Sequence, residues 1–371
     1  MTNSNIAAKR IVFYAVNGIG VGHLTRTVAI ARATRLLATE LNDVTQIFIV
    51  TTSEATHIAS ADGLLAIKFP SPSVAEACGF EERPYRALGR RWVRDAIEAI
   101  QPDLIVVDTF PEGAFGELTE VLGTVKRRVI ILRPLSQSYL SERNVFQALE
   151  TYDLVLVPDA VEHSNMAFPA DLATRVRHLG PVLIRHRSEL LDRAEARRRL
   201  GAYPDQSIVY LTAGGGGDVE APRLLEAWTD ALAGLGALIV VGRGPLRRGV
   251  QASPKSTLAP EDWPICVLMN GFDVAVSTAG YNSFNELMHF GVPSIFLPRE
   301  RRADDQFSRV AIAVERGAAL YVRGSDDPTD ILPRVRDLLS TRQDSMRQSA
   351  RALVPHNYAK EFAAALLDCL N

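Results

Sequence analysis

The chain has 371 residues, enough for two domains that each bury their own hydrophobic core. Hydrophobic residues make up 47% and charged residues 23% of the sequence, which is typical of a soluble globular protein, and the net charge of −2 argues against nucleic-acid binding through general electrostatics. Apolar runs stay shorter than the ~18 residues of a membrane-spanning helix, and the first nine residues contain no signal-like apolar stretch. The three cysteines are too scattered for a disulfide framework or a zinc site. We therefore expect a cytoplasmic protein without a metal.

Short apolar segments alternate with helical stretches along the first half of the chain. The predicted strands cover residues 11–16, 47–51, 104–107, 129–132 and 154–157, and a helix is predicted over 25–41. Short, all-apolar strands separated by helices are typical of a parallel sheet that is covered on both faces. The first half therefore predicts a doubly wound, Rossmann-like α/β domain.

The same alternation returns in the second half, with strands predicted over 208–212, 238–241, 274–277 and 294–297. Gly180 and Pro181 interrupt the pattern, and the basic segment behind them predicts an exposed helix over 188–200. We place the N-terminal domain at 1–183 and the C-terminal domain at 184–355. Apolar residues at helical spacing predict an amphipathic helix in the final segment, 356–371.

Alternating glycines follow the first predicted strand, and Gly18, Gly20 and Gly22 allow a tight turn in which a ligand can approach backbone amides. His23 occupies the position where a dinucleotide-binding fingerprint needs glycine, and no Gly-Lys-Ser/Thr follows, which excludes a nucleoside-triphosphate P-loop. The imidazole is a candidate general base, and Asp108, at the end of the third predicted strand, is a candidate to orient it. Alternatively, His23 bonds to the backbone at a helix start and Asp108 caps a strand end.

Four consecutive glycines, 214–217, follow the strand at 208–212 and favour a phosphate-binding loop over a flexible surface loop. After the strand at 274–277, a turn of small residues ends in Gly280, and a helix is predicted to start near Asn282, so that its N-terminal amides can bind a diphosphate. Glu286 lies one turn further along on the same helix face, where its carboxylate can accept hydrogen bonds from the two ribose hydroxyls.

The segment behind the strand at 294–297 carries further polar candidates. Asp305 and Gln306 stand at the start of another predicted helix, with hydrogen-bonding groups that suit sugar hydroxyls. Alternatively, Asp305 is only a helix N-cap.

Taken together, these motifs resemble those of the GT-B glycosyltransferases. The shared pattern is Gly-x-Gly-x-Gly-His after the first strand, a glycine-rich turn in the second domain, Ala-Gly-x-Asn-x-x-x-Glu, and then Pro-x7-Gln. Within that superfamily the chain resembles the MurG group, which moves N-acetylglucosamine from its UDP carrier to a lipid-linked acceptor. More narrowly, it looks like a branch of predicted bacterial glycosyltransferases with Gly-His-Leu, Phe-Pro-x-Gly and Ala-Gly-Tyr-Asn-Ser. The resemblance implies two Rossmann-like domains that face each other across a cleft, with the final helix crossing back to the first domain.

The resemblance also implies roles for individual residues. Glu286 would bind the ribose, and the glycines at 214–217 with Gly280 would surround the phosphates. Asp305 and Gln306 would contact the donor sugar, and segment 262–265 would meet the uracil edge. His23 falls on the histidine that acts as base in natural-product glycosyltransferases of this fold, where an aspartate supports it. The complete set of predicted donor-binding residues is Gly20, Gly22, Gly214, Gly215, Gly216, Gly217, Trp263, Ile265, Thr278, Ala279, Gly280, Asn282, Ser283, Glu286, Asp305 and Gln306.

Three departures from MurG concern the substrates. Thr278 stands where MurG has arginine, Asp305 and Gln306 stand where MurG has paired glutamines, and Phe-Pro-Glu-Gly at 110–113 stands in place of the second glycine-rich acceptor loop. We therefore expect an acceptor other than the peptidoglycan lipid.

The expected reaction is an inverting single displacement. A Glu-x7-Glu pair of the retaining kind is missing, since Ser294 stands eight residues beyond Glu286. His23 would deprotonate the acceptor hydroxyl, and loop amides with a helix dipole would stabilise the leaving UDP without a metal or a cofactor. The expected donor is a UDP-hexose or UDP-N-acetylhexosamine, and the acceptor is a small or lipid-linked molecule. A UDP-sugar hydrolase or epimerase and a non-catalytic nucleotide-sugar-binding protein stay open as alternatives, as does the oligomeric state.

Five arginines between positions 83 and 94 alternate with two aromatic residues. Such a segment is typical of a solvated helix face, and alternatively of peripheral contact with an anionic membrane or a phosphorylated acceptor.

Overall fold

The computed structural model describes residues 8–16, 20–142, 144–159, 166–246, 253–261, 264–301, 304–322, 330–341 and 343–370. The chain divides into two compact units. The first contains residues 8–16, 23–182 and 358–370, and the second contains residues 183–357 together with the short segment 20–22.

The first unit is built on a parallel sheet of seven strands in the order β3-β2-β1-β4-β5-β6-β7. These strands are β1 (Lys9–Ala15), β2 (Thr45–Thr51), β3 (Leu65–Lys68), β4 (Leu104–Asp108), β5 (Arg127–Ile131), β6 (Leu154–Val157) and β7 (Val176–His178). The central strands are buried on both faces, as their unbroken apolar sequences require.

Helices connect these strands and cover the sheet. They are α1 (Gly22–Glu40), α2 (His57–Ala61), α3 (Pro72–Ala77), α4 (Glu82–Ile100), α5 (Gln137–Glu142), α6 (Val145–Leu149) and α7 (Ala170–Ala173), with a 3-10 turn at Leu122–Thr124. α1 is buried along most of its first half, whereas α4 buries one stripe and leaves its arginine-rich remainder largely exposed.

The second unit is built on a parallel sheet of six strands in the order β10-β9-β8-β11-β12-β13. These strands are β8 (Ile208–Thr212), β9 (Leu238–Val241), β10 (Thr257–Leu258), β11 (Val274–Ser277), β12 (Ser294–Phe296) and β13 (Leu320–Tyr321). Side chains of β8, β9, β11 and β12 form a hydrophobic core with Trp228, Ile331 and Val335.

The helices of the second unit are α8 (Arg193–Arg199), α9 (Ala221–Leu232), α10 (Tyr281–Phe290), α11 (Gln306–Glu315), α12 (Ile331–Ser340) and α13 (Asp344–Leu353), with 3-10 turns at Arg187–Glu189, Ala233–Leu235 and Ile265–Gly271. α10 ends at Phe290 and is followed by Gly291, whose φ of 71° is the left-handed conformation that commonly terminates a helix.

The last helix, α14 (Ala359–Asp368), groups with the first unit. The Tyr358 amide donates a hydrogen bond to the Pro181 carbonyl (3.0 Å), and the Tyr358 ring lies so close to Gly180 that a side chain there would clash with it. Phe362 and Leu366 of α14 are fully buried.

The predicted fold class, two doubly wound parallel α/β domains, is confirmed, and all nine predicted strands are present. The predicted continuous helix over 188–200 is wrong. The Leu191 amide donates to the Val267 carbonyl (3.0 Å), and Asp192 caps the start of α8 by accepting from the Glu195 amide (2.9 Å). These bonds hold the chain extended between a 3-10 turn and α8. Within the described residues, no helix has both the length and the apolar character of a membrane span.

Each sheet changes winding direction at one pair of neighbouring strands, β1 and β4 in the first unit and β8 and β11 in the second. Open α/β sheets bind ligands at the carboxyl ends of the strands at this switch point. The loops that follow these four strands therefore hold the candidate site residues.

Candidate active site

His23 and Asp108, the two predicted catalytic residues, are brought together by neighbouring strands of the first unit. His23 is the second residue of α1, which follows β1, and Asp108 is the last residue of β4. Because β1 and β4 are adjacent and parallel, their carboxyl ends share one edge of the sheet, and His23 Nδ1 lies 2.6 Å from Asp108 Oδ1. The ring of Phe110 lies next to the imidazole, with 5.1 Å between the ring centroids.

Arg26, which no sequence motif singles out, completes this group. Its buried guanidinium donates from Nε to Asp108 Oδ2 (2.8 Å) and from Nη2 to Asp108 Oδ1 (2.7 Å) and Thr109 Oγ1 (3.0 Å). Burial opposes the ionisation of Asp108, but the charge of Arg26 and the hydrogen bond with His23 outweigh it and lower the pKa of Asp108 to about 2. Asp108 is therefore a carboxylate at neutral pH.

The protonation state of His23 follows from the same contacts. Burial lowers the pKa of His23 and outweighs the opposing effect of Asp108, while the charges of Arg26 and Arg133 act in the same direction as burial. The imidazole is therefore neutral at neutral pH. Since an ionised carboxylate can only accept a hydrogen bond, the proton is assigned to Nδ1, which leaves Nε2 as the basic nitrogen that a general base needs.

The loop that carries the Phe-Pro-x-Gly motif is fixed by buried side chains. The Glu117 carboxylate accepts hydrogen bonds from two backbone amides of the loop (both 2.8 Å) and from the Tyr14 hydroxyl (2.5 Å). The Tyr152 hydroxyl donates to the Pro111 carbonyl (2.5 Å). Phe110 therefore stands beside His23 on a loop whose conformation is set by the core of the first unit.

In the second unit, the predicted glycine loop follows β8 directly. Gly214 and Gly216 have φ angles of 90° and 89°, a region that side-chain-bearing residues rarely adopt. Gly244 follows β9 and was not among the predicted site residues. A Cβ atom on Gly244 would come within 2.5 Å of the Gly215 carbonyl carbon, so the two loops pack backbone against backbone. The result is a compact, amide-rich edge next to β8.

Two ion pairs connect the loop after β8 with the loop after β12. Asp218 pairs with Arg301, and Glu220 Oε2 lies 2.5 Å from Arg299 Nη2. Because β8 and β12 are the two neighbours of β11, these loops lie on both sides of the turn that follows β11.

That turn contains Ala279, which is fully buried and has a φ of 61°, a strained conformation for a residue other than glycine. Arg309 holds it by donating from Nη1 to the Ala279 carbonyl (2.9 Å), and its Nη2 bonds to Asp304 (2.7 Å). α10 begins directly after Gly280, and because this N-cap residue is a glycine it supplies no side-chain cap to the first turn. Helix N-terminal amides without a cap are a favourable place for a diphosphate.

Glu286 lies in the second turn of α10 and is partly buried. Among the described residues, its carboxylate has no hydrogen-bond or ion-pair partner, and burial raises its pKa to about 7. Burial raises the pKa of Tyr210 on β8 and of the Cys266 thiol, and the charge of Glu286 adds to this increase. A carboxylate in such surroundings is destabilised until a donor pairs with it, and ribose hydroxyls are suitable donors.

Asp305 and Gln306 both serve local structure. Asp305 caps α11 by accepting from the amide (3.0 Å) and the hydroxyl (2.7 Å) of Ser308. The buried Gln306 amide group accepts from the Arg299 amide (2.9 Å) and donates to Asp304 Oδ2 (3.2 Å). Both side chains therefore shape the loop after β12, and their contact with a sugar stays a prediction.

The other predicted donor residues are distributed around the same strand ends. Gly20 lies in a bend before α1, Thr278 is buried in the turn after β11, and Ile265 begins a 3-10 turn with its side chain partly exposed. Asn282 and Ser283 are partly exposed in the first turn of α10. Trp263 lies outside the described residues.

Comparison with known proteins identifies a family whose domain model matches part of this chain. Residues 265–366 match the family model of the glycosyltransferase family 28 C-terminal domain. The matched segment begins at the 3-10 turn beside Glu286 and includes the turn after β11, α10 and α11. The resemblance to MurG-like GT-B glycosyltransferases is confirmed.

Two relatives named UDP-N-acetylglucosamine--N-acetylmuramyl-(pentapeptide) pyrophosphoryl-undecaprenol N-acetylglucosamine transferase are similar in sequence. The protein from Nocardioides sp. is 25% identical over 188 residues, which cover 47% of this chain and 51% of the relative. The protein from Aquifex aeolicus is 22% identical over 231 residues, which cover 61% of this chain and 65% of the relative. The chain thus spans about half to two thirds of the length of these curated relatives.

Solved glycosyltransferases share the fold over nearly the whole chain. The spinosyn forosaminyltransferase aligns with a TM-score of 0.68 and 15% identity over 98% of this chain and 100% of the other. The spinosyn rhamnosyltransferase complexed with thymidine diphosphate aligns with a TM-score of 0.64 and 16% identity over the same shares. At these identities the likeness shows the fold alone.

Proposed function

We propose that this chain is an inverting glycosyltransferase that moves a hexose or N-acetylhexosamine from a UDP-sugar to a hydroxyl group of a small or lipid-linked acceptor. The observation that carries the proposal is Glu286, a partly buried carboxylate without a partner among the described residues, one turn behind the start of α10, whose N-cap residue is a glycine. A nucleoside diphosphate offers a pair of hydroxyl donors and an anionic diphosphate, which match these two features.

The second unit would hold the donor. The ribose hydroxyls would donate to Glu286, and the diphosphate would accept from the first amides of α10 and from the glycine loop at 214–217. Arg309 supports this arrangement because it fixes the Ala279 carbonyl and with it the direction of the turn. We choose a UDP-sugar because the relatives that are similar in sequence are named as UDP-N-acetylglucosamine transferases.

The first unit would supply the base. In the proposed step, His23 Nε2 takes the proton of the acceptor hydroxyl while the oxygen forms a bond to the anomeric carbon of the sugar. The bond between the anomeric carbon and the diphosphate oxygen breaks, and its electron pair leaves with UDP. Backbone amides and the dipole of α10 would stabilise the charge on the leaving diphosphate, so that the reaction needs no metal ion.

Binding and turnover measurements test the proposal in sequence. Calorimetry with UDP, dTDP and GDP should show the tightest binding for UDP, and Glu286→Gln should weaken it. UDP-sugars should then be incubated with candidate hydroxyl acceptors, with UDP release and product mass as readouts. UDP release without any acceptor would instead identify a hydrolase, and nucleotide binding without turnover a binding protein.

A further inference from the structure

We propose that Arg26 is a positioning residue that holds the His23–Asp108 pair in its reactive arrangement and fixes the backbone turn directly behind Asp108. The chemistry of this inference rests on the proposed function, whereas its geometry rests only on contacts within the first unit. Arg26 lies three residues after His23 on α1, so both side chains leave the helix on the same face.

The first contact is a two-point bond to the carboxylate. Arg26 binds both oxygens of Asp108, at 2.8 and 2.7 Å, with both side chains about 1% exposed. The planar guanidinium matches a carboxylate only in one orientation, so these bonds prevent rotation of Asp108. Oδ1 is shared by Arg26 and His23, and the imidazole therefore takes its direction from a carboxylate whose own direction Arg26 sets.

The second contact is to the turn. Thr109 has a φ of 63°, and the Phe110 amide donates to the Asp108 carbonyl (2.7 Å), which makes a three-residue γ-turn. A β-branched residue in this region is strained, and such strain persists only where surrounding contacts enforce it. Arg26 Nη2 supplies one such contact through the Thr109 hydroxyl (3.0 Å). The Phe110 ring, which follows this turn, lies 5.1 Å from the His23 ring between centroids.

The contact also has an electrostatic consequence. Three charged groups influence His23: Asp108 from β4, Arg26 from α1 and Arg133 from the segment after β5. Burial is the main reason that the pKa of His23 is lowered, and the charge of Arg26 acts in the same direction by compensating that of Asp108. Without Arg26, the uncompensated carboxylate would favour the imidazolium form, and a larger share of His23 would be protonated at a given pH.

Two substitutions of Arg26 separate charge from geometry. Arg26→Gln removes both, and we expect the NMR titration of the His23 imidazole in the full chain to move to higher pH. The acid limb of the kcat profile should move with it, and kcat should fall by up to about 100-fold, as expected for a misplaced base. Arg26→Lys keeps a charge but lacks the planar fork, so the His23 titration should stay near that of the unchanged chain while kcat still falls.

Arg32→Gln is the matched control, because Arg32 lies on the same helix in an ion pair with Asp62 (3.6 Å) outside this group. It should leave both the His23 titration and kcat unchanged, and none of the three variants should alter the Kd for UDP. A folded Arg26→Gln chain with an unchanged His23 titration and unchanged kcat would overturn the proposal.

If Arg26→Gln does not fold, Thr109→Val decides the question. Valine keeps the β-branched shape and removes only the hydroxyl that accepts from Arg26. We expect a lower kcat with an unchanged KM for the donor, and an unchanged kcat would overturn the role of the turn. Failure of the proposed function gives a different pattern, because the NMR titration needs no substrate and responds to Arg26 even in a chain without transferase activity.

Discussion

Glutamine in place of Glu286 preserves the shape of the side chain and removes its charge, so this substitution measures what the carboxylate contributes. Burial raises the pKa of Glu286 from 4.5 to about 7. At about 1.36 kcal/mol per pKa unit this shift amounts to roughly 3 kcal/mol, and because the side chain is partly exposed we expect about 1–3 kcal/mol.

The sign of the pH dependence follows from proton linkage. The folded chain binds this proton more tightly than the unfolded chain, so the contribution to stability is complete below about pH 4.5 and is lost as the pH rises through 7. Glutamine is neutral throughout. Glu286→Gln should therefore match the unchanged chain near pH 4.5 and exceed its free energy of unfolding by about 1–3 kcal/mol at pH 8, which raises Tm by roughly 2–10 °C.

Nucleotide binding should show the opposite preference. Ribose hydroxyls donate to the ionised carboxylate, so UDP binding should strengthen as the pH rises toward 7 and then level off. At pH 8, Glu286→Gln should weaken binding by about 1.5–3 kcal/mol, the contribution of hydrogen bonds to a charged group, or roughly 10- to 150-fold in Kd. At pH 5.5 the difference should shrink, because Glu286 is then largely protonated.

Calorimetry between pH 5.5 and 8.5, in two buffers with different ionisation enthalpies, measures both the affinity and the protons released on binding. The terminal phosphate of UDP also titrates in this range, with a pKa of roughly 6. Glu286→Gln carries the same phosphate contribution and therefore provides the baseline to subtract. A difference between the two chains that is equal at pH 5.5 and 8.5 would refute the assignment of Glu286 to the ribose.

Three further predictions concern other parts of the chain. In steady-state assays, His23→Ala should lower kcat by roughly 10²–10⁴-fold and Asp108→Asn by less, while calorimetry should show an unchanged Kd for UDP in His23→Ala. Full turnover in His23→Ala would exclude His23 as the base. Gly244→Ala should weaken UDP binding because the new Cβ would clash with the glycine loop. The control Gly236→Ala, at a similar φ of 68° but in open space, should only lower the free energy of unfolding by about 1–2 kcal/mol, and equal UDP affinities of the two variants would contradict the role of Gly244. Phe362→Ala should destabilise the first unit by about 3–5 kcal/mol in denaturant unfolding, and a change below 1 kcal/mol would show that α14 contributes little.

The strands that could be predicted from sequence are those buried on both faces. Their unbroken apolar runs leave few other structures open, and this holds for β1, β4, β8 and β11. The strands that were missed, β3, β7, β10 and β13, are the edge strands of the two sheets, and their two to four residues have partly or fully exposed side chains. They carry too few apolar residues for a pattern, and their conformation follows from pairing with a neighbouring strand.

The candidate site could be predicted only where a residue type carries its own chemical signal. His23 and Asp108 stand at strand ends in the sequence, and the structure places them 2.6 Å apart. Arg26 had one available signal, its position three residues after His23 on a helix, but an arginine on α1 reads as a surface residue until its burial is known. Gly244 was missed because only the packing of two loops makes glycine necessary there.

The two units share one structural feature that sequence motifs do not reveal, a strained turn held by an arginine. Among the described residues, five other than glycine have positive φ, and three of these are Asn or Gln, at Asn42, Gln101 and Asn144. The other two, Thr109 and Ala279, lie in the turns after β4 and β11, each of which is one of the two strands at the switch point of its sheet. An arginine from a helix of the same unit holds each turn, Arg26 through the Thr109 hydroxyl and Arg309 through the Ala279 carbonyl. Backbone strain of this kind is stored at functional sites and maintained by contacts around them. The same arrangement at both strand ends therefore supports the assignment of a base to one unit and of a nucleotide to the other, independently of the motifs.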